Sequence, residues 1–215
     1  GSLLKHIRLL KEIVRQHDIQ IIHTNSNYDR TAGAFAAKLA GAKHVTNVHS
    51  FHSIRHNPTQ WLRNRAATDH IIVDGYCVKD LLVRNDGIPE KNISVIHLGV
   101  DPENMRRDEL SRTQIRAEFK ISEADIVIGN VGRLVPMKGQ EYLLRAFGKI
   151  APAYPHARLL LIGDGELREH LEQTARSLDA NVIFAGFRDD LRAVYSAMDI
   201  YAHPSVEGGG ETFPF

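Results

Sequence analysis

Apolar residues recur at helical spacing at Leu3, Ile7, Leu10 and Val14, and the next cluster, Ile19, Ile21 and Ile22, is short and β-branched. The chain therefore opens as helix then strand. Ala32, Phe35, Ala36, Leu39 and Ala40 form a second helical stripe that Gly41 closes, and strands follow at His44 to Val48, Ile71 to Val73 and Ile93 to Ile96. The alternation returns with strands at 126–131, 158–162, 182–185 and 199–202 and helices near 139–151, 166–178 and 190–198. Crossovers this long exclude hairpins and predict parallel strands in right-handed βαβ units, an α/β fold. Between Gly99 and Asp125 the pattern breaks into a charged stretch (Pro102, Glu103, Arg106, Arg107, Asp108, Glu109, Arg112, Arg116, Glu118) with few core positions. It reads as a hinge dividing residues 1–103 from 104–215, two Rossmann-like units of four strands each.

Composition narrows the class. Lysine plus arginine number 27 against 26 aspartate plus glutamate, so the net charge of +1 supplies no field for a dedicated nucleic-acid binder. A hydrophobic share of 43% with 25% charged residues is globular. No apolar run reaches the ~18 residues of a membrane span, and the first residues lack the pattern of a signal peptide. A single cysteine, Cys77, excludes an intrachain disulfide and fits a reducing, cytoplasmic setting.

Ligands of parallel sheets sit beyond the carboxyl ends of the strands, so the residues after each strand carry the candidate chemistry. After Val131 come Gly132, Arg133, Leu134, Val135, Pro136, Met137, Lys138 and Gly139 ahead of a helix. A guanidinium, an ammonium and the orphan N–H groups of a helix start all favour an anion, and a diphosphate fits them. The alternative is a solvated loop with incidental basic residues. Gly163, Asp164, Gly165 and Glu166 form a tight turn; a dinucleotide fingerprint would need a third glycine where Arg168 stands. Gly186, Phe187, Arg188, Asp189 and Asp190 follow the next strand, where backbone groups could meet a base edge. The last strand leads to His203, Pro204, Ser205, Val206, Glu207 and Gly208 to Gly210, then Glu211, Thr212, Phe213, Pro214 and Phe215. The end of this run reads as a carboxylate before a helix start, with capping as the alternative role of Glu211.

In order and spacing, Gly132 Arg133 Leu134, Lys138 Gly139, Ile162 to Gly165, Phe184 to Gly186, Pro204 Ser205 and Glu211 to Pro214 resemble glycosyltransferase family 4 (group 1) across nearly the whole second half. Val45 to His49 and Ser94 to Asp101 are similar to the family's first half. The resemblance implies a GT-B architecture. It implies retaining, metal-independent transfer of a sugar from a nucleotide diphosphate sugar to a saccharide or lipid-linked acceptor in surface polysaccharide, lipopolysaccharide or glycolipid synthesis. A cytoplasmic enzyme with peripheral membrane contact is the corresponding location. Arg133 and Lys138 would neutralise the departing diphosphate, each contributing ~3–4 kcal/mol of transition-state stabilisation. Glu211 would hold hydroxyls of the sugar, with Glu207 its rival because of the inserted Glu207 to Gly210. Gly132, Gly163, Asp164, Gly165, Phe187, Arg188, Thr212, Phe213 and Phe215 would complete the donor site, and His49 would reach the sugar or manage the acceptor proton.

His49, His52 and His56 invite a zinc reading, but no cysteine or nearby carboxylate completes a ligand set, so no metal is expected. Asp74 stands where the family often has serine, and His97 where it has proline or asparagine. The family opens on a strand and a glycine-rich turn and carries a second glutamate eight positions after the first; here a helix opens the chain and Phe215 ends it. The resemblance thus implies a central piece of a longer enzyme, itself slow or inactive. Its open sheet edges favour pairing or segment exchange with a second copy. The competing functions are a nucleotide-sugar 2-epimerase on the same fold and a non-catalytic nucleotide-sugar binder.

Overall fold

A computed structural model describes residues 2–49, 51–178 and 180–206. In chain order the elements are α1 (Ser2–Gln16), β1 (Ile21–Thr24), α2 (Asn27–Ala40), β2 (Lys43–Val48), α3 (Pro58–Leu62), β3 (His70–Val73), α4 (Tyr76–Arg84) and β4 (Ile93–Val95). Then come α5 (Glu109–Glu118), β5 (Ile126–Val131), α6 (Gln140–Ile150), β6 (Ala157–Ile162), α7 (Arg168–Ser177), β7 (Val182–Gly186), α8 (Leu191–Ala197) and β8 (Ile200–Tyr201). They form two all-parallel four-stranded sheets, ordered β1-β2-β3-β4 and β7-β6-β5-β8. Of the described residues, 2–98 make one compact unit and 99–206 the other.

The first unit packs Val48, Ile71, Val73, Val78, Leu82 and Ile93 into one core. On its other face Ala32 and Ala36 of α2 meet Ile7 of α1. Ser26 caps α2, and Gly41, at φ 85°, closes it in the left-handed conformation that glycine adopts without steric cost. In the second unit Leu159, Leu160, Leu161 and Ile162 of β6 are all buried, because α6 and α7 cover one face and α8 the other.

The charged stretch contributes more to the core than its composition predicts. Residues 109–118 form α5, capped by Asp108, with Ile115, Arg112 and Arg116 buried against α8. Arg112 Nη2 and Arg116 Nη2 grip the two carboxylate oxygens of Asp199 at 2.9 and 2.7 Å, and the Val127 N–H donates to the same carboxylate at 2.8 Å. Composition could not reveal this, since two of the charges belong to the core and their partner lies over 80 residues away. Burial raises the Asp199 pKa, but the Val127 N–H and the two arginines outweigh it and hold the carboxyl below its ordinary range. Asp199→Ala leaves the two buried guanidinium groups with backbone carbonyls and the more distant Glu123, at 3.7 and 3.8 Å, and is expected to cost ~3–5 kcal/mol in urea unfolding. With the folded-state pKa depressed, this contribution is complete above the ordinary carboxylate range. The gap between wild type and variant should therefore narrow as pH falls below ~4.

Candidate functional site

Register decides which residues meet at the carboxyl edge of the second sheet. Val131 pairs with Ile162 and Ile162 with Gly186, so the loops that follow β5, β6 and β7 leave the sheet side by side. The Gly132 N–H donates to the Ile162 carbonyl at 2.9 Å, the Gly163 N–H to Gly186 at 2.7 Å, and the Leu134 N–H to Asp164 at 2.9 Å. Gly163 sits at φ 128°, where a Cβ would lie 2.1 Å from the Gly132 carbonyl oxygen; a Cβ on Gly165 would lie 2.5 Å from that of Leu134. Gly163→Ala must spread these two loops, and we expect a loss of ~1–3 kcal/mol in thermal unfolding.

Around this edge lies a cavity of about 350 Å³ lined by Gly132, Arg133, Gly163, Asp164, Phe187 and Arg188. Val131, Ile162 and Leu191 give it apolar walls, and Phe187 is largely exposed at its mouth. The sequence-predicted donor residues that are described thus converge on one place, apart from Lys138 and Gly165, which shape the adjoining loops. Arg188 lines the cavity, but its guanidinium is committed: hydrogen bonds to Asp190 and then Glu118 push its pKa up, and it lies over the Phe119 ring. It serves the cavity as a wall. Glu207, Glu211, Thr212, Phe213 and Phe215 lie outside the described residues.

The loop from Gly132 to Gly139 carries both cations. Pro136–Lys138 form one 3-10 turn, and Gly139 at φ 69° redirects the chain into α6, its missing Cβ leaving room for the Pro204 carbonyl. Arg133 is exposed and makes no salt bridge among the described residues. Burial, then the like charge of Arg133, lowers the Lys138 pKa, and burial, then Lys138, lowers that of His203. The half-buried Lys138 ammonium and the exposed Arg133 guanidinium thus place two positive charges on one loop, an arrangement that favours an anion. Two side chains that the sequence motifs do not flag brace them. Buried Gln140 donates to the Arg133 carbonyl at 3.0 Å and to Asn130 at 3.2 Å, and Asn130 donates to the Ala202 carbonyl at 2.8 Å.

In the first unit Val48 of β2 pairs with Val73 of β3, so the next residues, His49 and Asp74, emerge together. Their contact is 2.9 Å from Nδ1 to Oδ2, with Asp74 only 2% exposed. His97, following β4, places Nδ1 2.8 Å from the Asp74 carbonyl and packs edge-on against Tyr76. Of the two departures from the family pattern, Asp74 meets His49 directly and His97 meets the Asp74 backbone. A buried carboxylate on Nδ1 selects the Nδ1–H tautomer and orients the ring. His52 and His56 stack at 6.5 Å, and among the described residues no three histidine, cysteine, aspartate or glutamate side chains gather as a metal site.

The chain is similar to known glycosyltransferases in both halves. The family model described as Glycosyltransferase Family 4 matches residues 1–104, and that of Glycosyl transferases group 1 matches residues 125–215. The chain is 27% identical over 96% of its length to UDP-Gal:alpha-D-GlcNAc-diphosphoundecaprenol alpha-1,3-galactosyltransferase of Escherichia coli. It is 25% identical over 95% to the GDP-mannose-dependent alpha-(1-6)-phosphatidylinositol monomannoside mannosyltransferase of Mycobacterium tuberculosis. It spans 57% of the length of each. The crystal structure of Anabaena Alr3699/HepE in complex with UDP superposes with a TM-score of 0.80 at 23% identity, over 92% of this chain and 57% of that one. The two parallel α/β units are thus those of solved GT-B glycosyltransferases, and with both halves matched in order the chain belongs to the family 4, group 1 glycosyltransferases.

Proposed function

We propose that the protein of which this chain spans the matched part is a retaining glycosyltransferase that uses a nucleotide diphosphate sugar, and that the second unit holds the donor. The observation that carries this is the Arg133 and Lys138 pair, braced by Gln140 beside the cavity of about 350 Å³. In the reaction the acceptor hydroxyl oxygen bonds to the anomeric carbon on the face from which the diphosphate departs with the electron pair. The hydroxyl proton passes to the leaving phosphate oxygen. Arg133 and Lys138 offset the charge growing on that diphosphate, the work a divalent cation does elsewhere, so no metal is required. Glu211, with Glu207 as its alternative, holds the sugar hydroxyls, and the apolar walls with Phe187 accept the base. His49, oriented by Asp74, serves the transferred sugar and the acceptor hydroxyl.

UDP and GDP donors in the names of the relatives, and UDP in the solved structure, support this reading. Their transferase names lend the 2-epimerase alternative no support. A saccharide or lipid-linked acceptor, a cytoplasmic site with peripheral membrane contact and pairing of copies through open sheet edges belong to the same proposal. Among the described residues no helix is long and apolar enough to cross a membrane. Calorimetric titration of the chain with UDP and GDP tests the donor site. Saturable binding of either supports it, and binding of neither removes it.

A further inference from the structure

The first unit buries two guanidinium groups, Arg30 of α2 and Arg63 in the π turn after α3, at 3% and 2% exposure. Buried arginines normally pair with carboxylates. Neither of these makes a salt bridge among the described residues. Arg30 donates to Thr46 Oγ1 at 3.0 Å, Asn27 Oδ1 at 2.9 Å and the Asn47 carbonyl at 2.9 Å. Arg63 donates to Asn64 Oδ1 at 2.8 Å, Thr31 Oγ1 at 3.1 Å and the Ile54 carbonyl at 2.7 Å. All these acceptors are neutral, and a guanidinium has five N–H donors, so each group keeps donors in reserve. The acids whose fields reach them are engaged elsewhere: Asp86 accepts from Ser53 Oγ and the Ile54 N–H, and Asp29 from the Ser26 N–H that opens α2.

Both arginines line a cavity of about 150 Å³ with Asn27, His52, His56 and Gln60, and among the described residues no carboxylate lines it. Neighbouring groups register burial first and the positive charge second. Burial, then Arg63 and Arg30, lowers the His44 pKa to about 4; burial, then Arg30, lowers that of Arg63 to about 10; burial, then Arg30 and His56, lowers that of His52. The volume is well below the ~300–1,000 Å³ of a whole small-molecule site and several times the ~30 Å³ of a water, which suits a single headgroup. Two guanidinium forks and two imidazoles around such a space match an oxyanion with acceptors in several directions.

We propose that this cavity is an anion site that takes the tetrahedral oxyanion of a phosphate group. Because Arg30 holds the Asn47 carbonyl two residues before His49, a bound phosphate would anchor an acceptor beside that histidine. This use rests on the transferase reading, whereas the binding of phosphate does not.

The test follows the arginine Nε–H and histidine side-chain NMR signals during titration with inorganic phosphate at low ionic strength. Saturable shifts at Arg30, Arg63 and His52 are expected. Gln60→Glu retains an acceptor for the His56 N–H, now bonded at 2.7 Å, but adds a negative charge at the rim. It should weaken binding at these signals by at least ~fivefold, whereas Arg133→Ala in the other unit should change it by less than ~twofold. That control keeps failure of the donor site distinct from failure here. Unmoved signals at ~50 mM phosphate, or indifference to Gln60→Glu, would overturn the proposal. Vesicles of phosphatidylcholine with phosphatidic acid separate the sources of the group: binding that Gln60→Glu weakens assigns a lipid-borne phosphate, and phosphate binding without vesicle binding assigns a soluble one.

Discussion

Arg133→Ala and Lys138→Ala each lower the affinity of this chain for nucleoside diphosphates by more than ~tenfold, a loss of at least ~1.4 kcal/mol. In the proposed whole transferase the expected loss is greater, ~10²–10³ in kcat, since the diphosphate would gain charge as the glycosidic bond breaks and these cations would act most strongly then. The two effects should not add. Both cations would act on one diphosphate, and groups that share a partner couple, so the double variant should differ from the sum of the singles. Arg133→Lys retains charge but loses the bidentate fork, and recovery of only part of the affinity is expected. Affinity within ~twofold of wild type in both alanine variants would separate the cations from the diphosphate and remove the proposed donor site.

Changes at the histidine and carboxylate pair should leave nucleotide affinity intact and act on turnover. His49→Ala in the proposed whole transferase is expected to lower kcat by ~10²–10⁴, the range of a positioned proton-handling group. Asp74→Asn keeps the volume and a hydrogen-bonding oxygen but removes the charge that selects the Nδ1–H form. It should cost ~10–10² in kcat with little change in donor KM. A merely structural Asp74 would not alter the ring, so the decisive readout is the ¹⁵N signature of the His49 tautomer, expected to change in Asp74→Asn. In a double-mutant cycle Asp74→Asn should add little once His49 is alanine. Full additivity, or an unchanged tautomer, would show that the 2.9 Å contact has no part in turnover.

Much of this protein is written locally. The helical stripe at Leu3, Ile7, Leu10 and Val14 became α1, and the β-branched clusters became strands within a residue or two, because burial against a sheet follows period and branching wherever the chain runs. The loops after β5, β6 and β7 could be singled out beforehand since parallel strands send all their carboxyl ends to one edge. Elements whose reason for existing lies far along the chain were less legible. The stretch from Glu103 to Glu118 looks like a hinge because charge normally means solvent; α5 persists there because Asp199 grips both Arg112 and Arg116, with Glu123 also near them. The short α3 and its π turn have too few apolar positions to announce themselves, yet they deliver Arg63 to the first unit's interior.

By itself, then, the amino-acid order determined the α/β alternation, the parallel sheets, the glycine turns and the cation-bearing loop, since each depends on residues within one or two turns of one another. Tertiary structure alone decided which side chains meet. Strand register set Asp74 against His49, Gln140 came under the Arg133 backbone, Arg188 was drawn to Glu118 and Asp190, and Arg30 and Arg63 were left around one cavity that no carboxylate of the described residues lines. The physical reason is that pairing energies depend on distance in space and on desolvation, and neither is a function of separation along the chain.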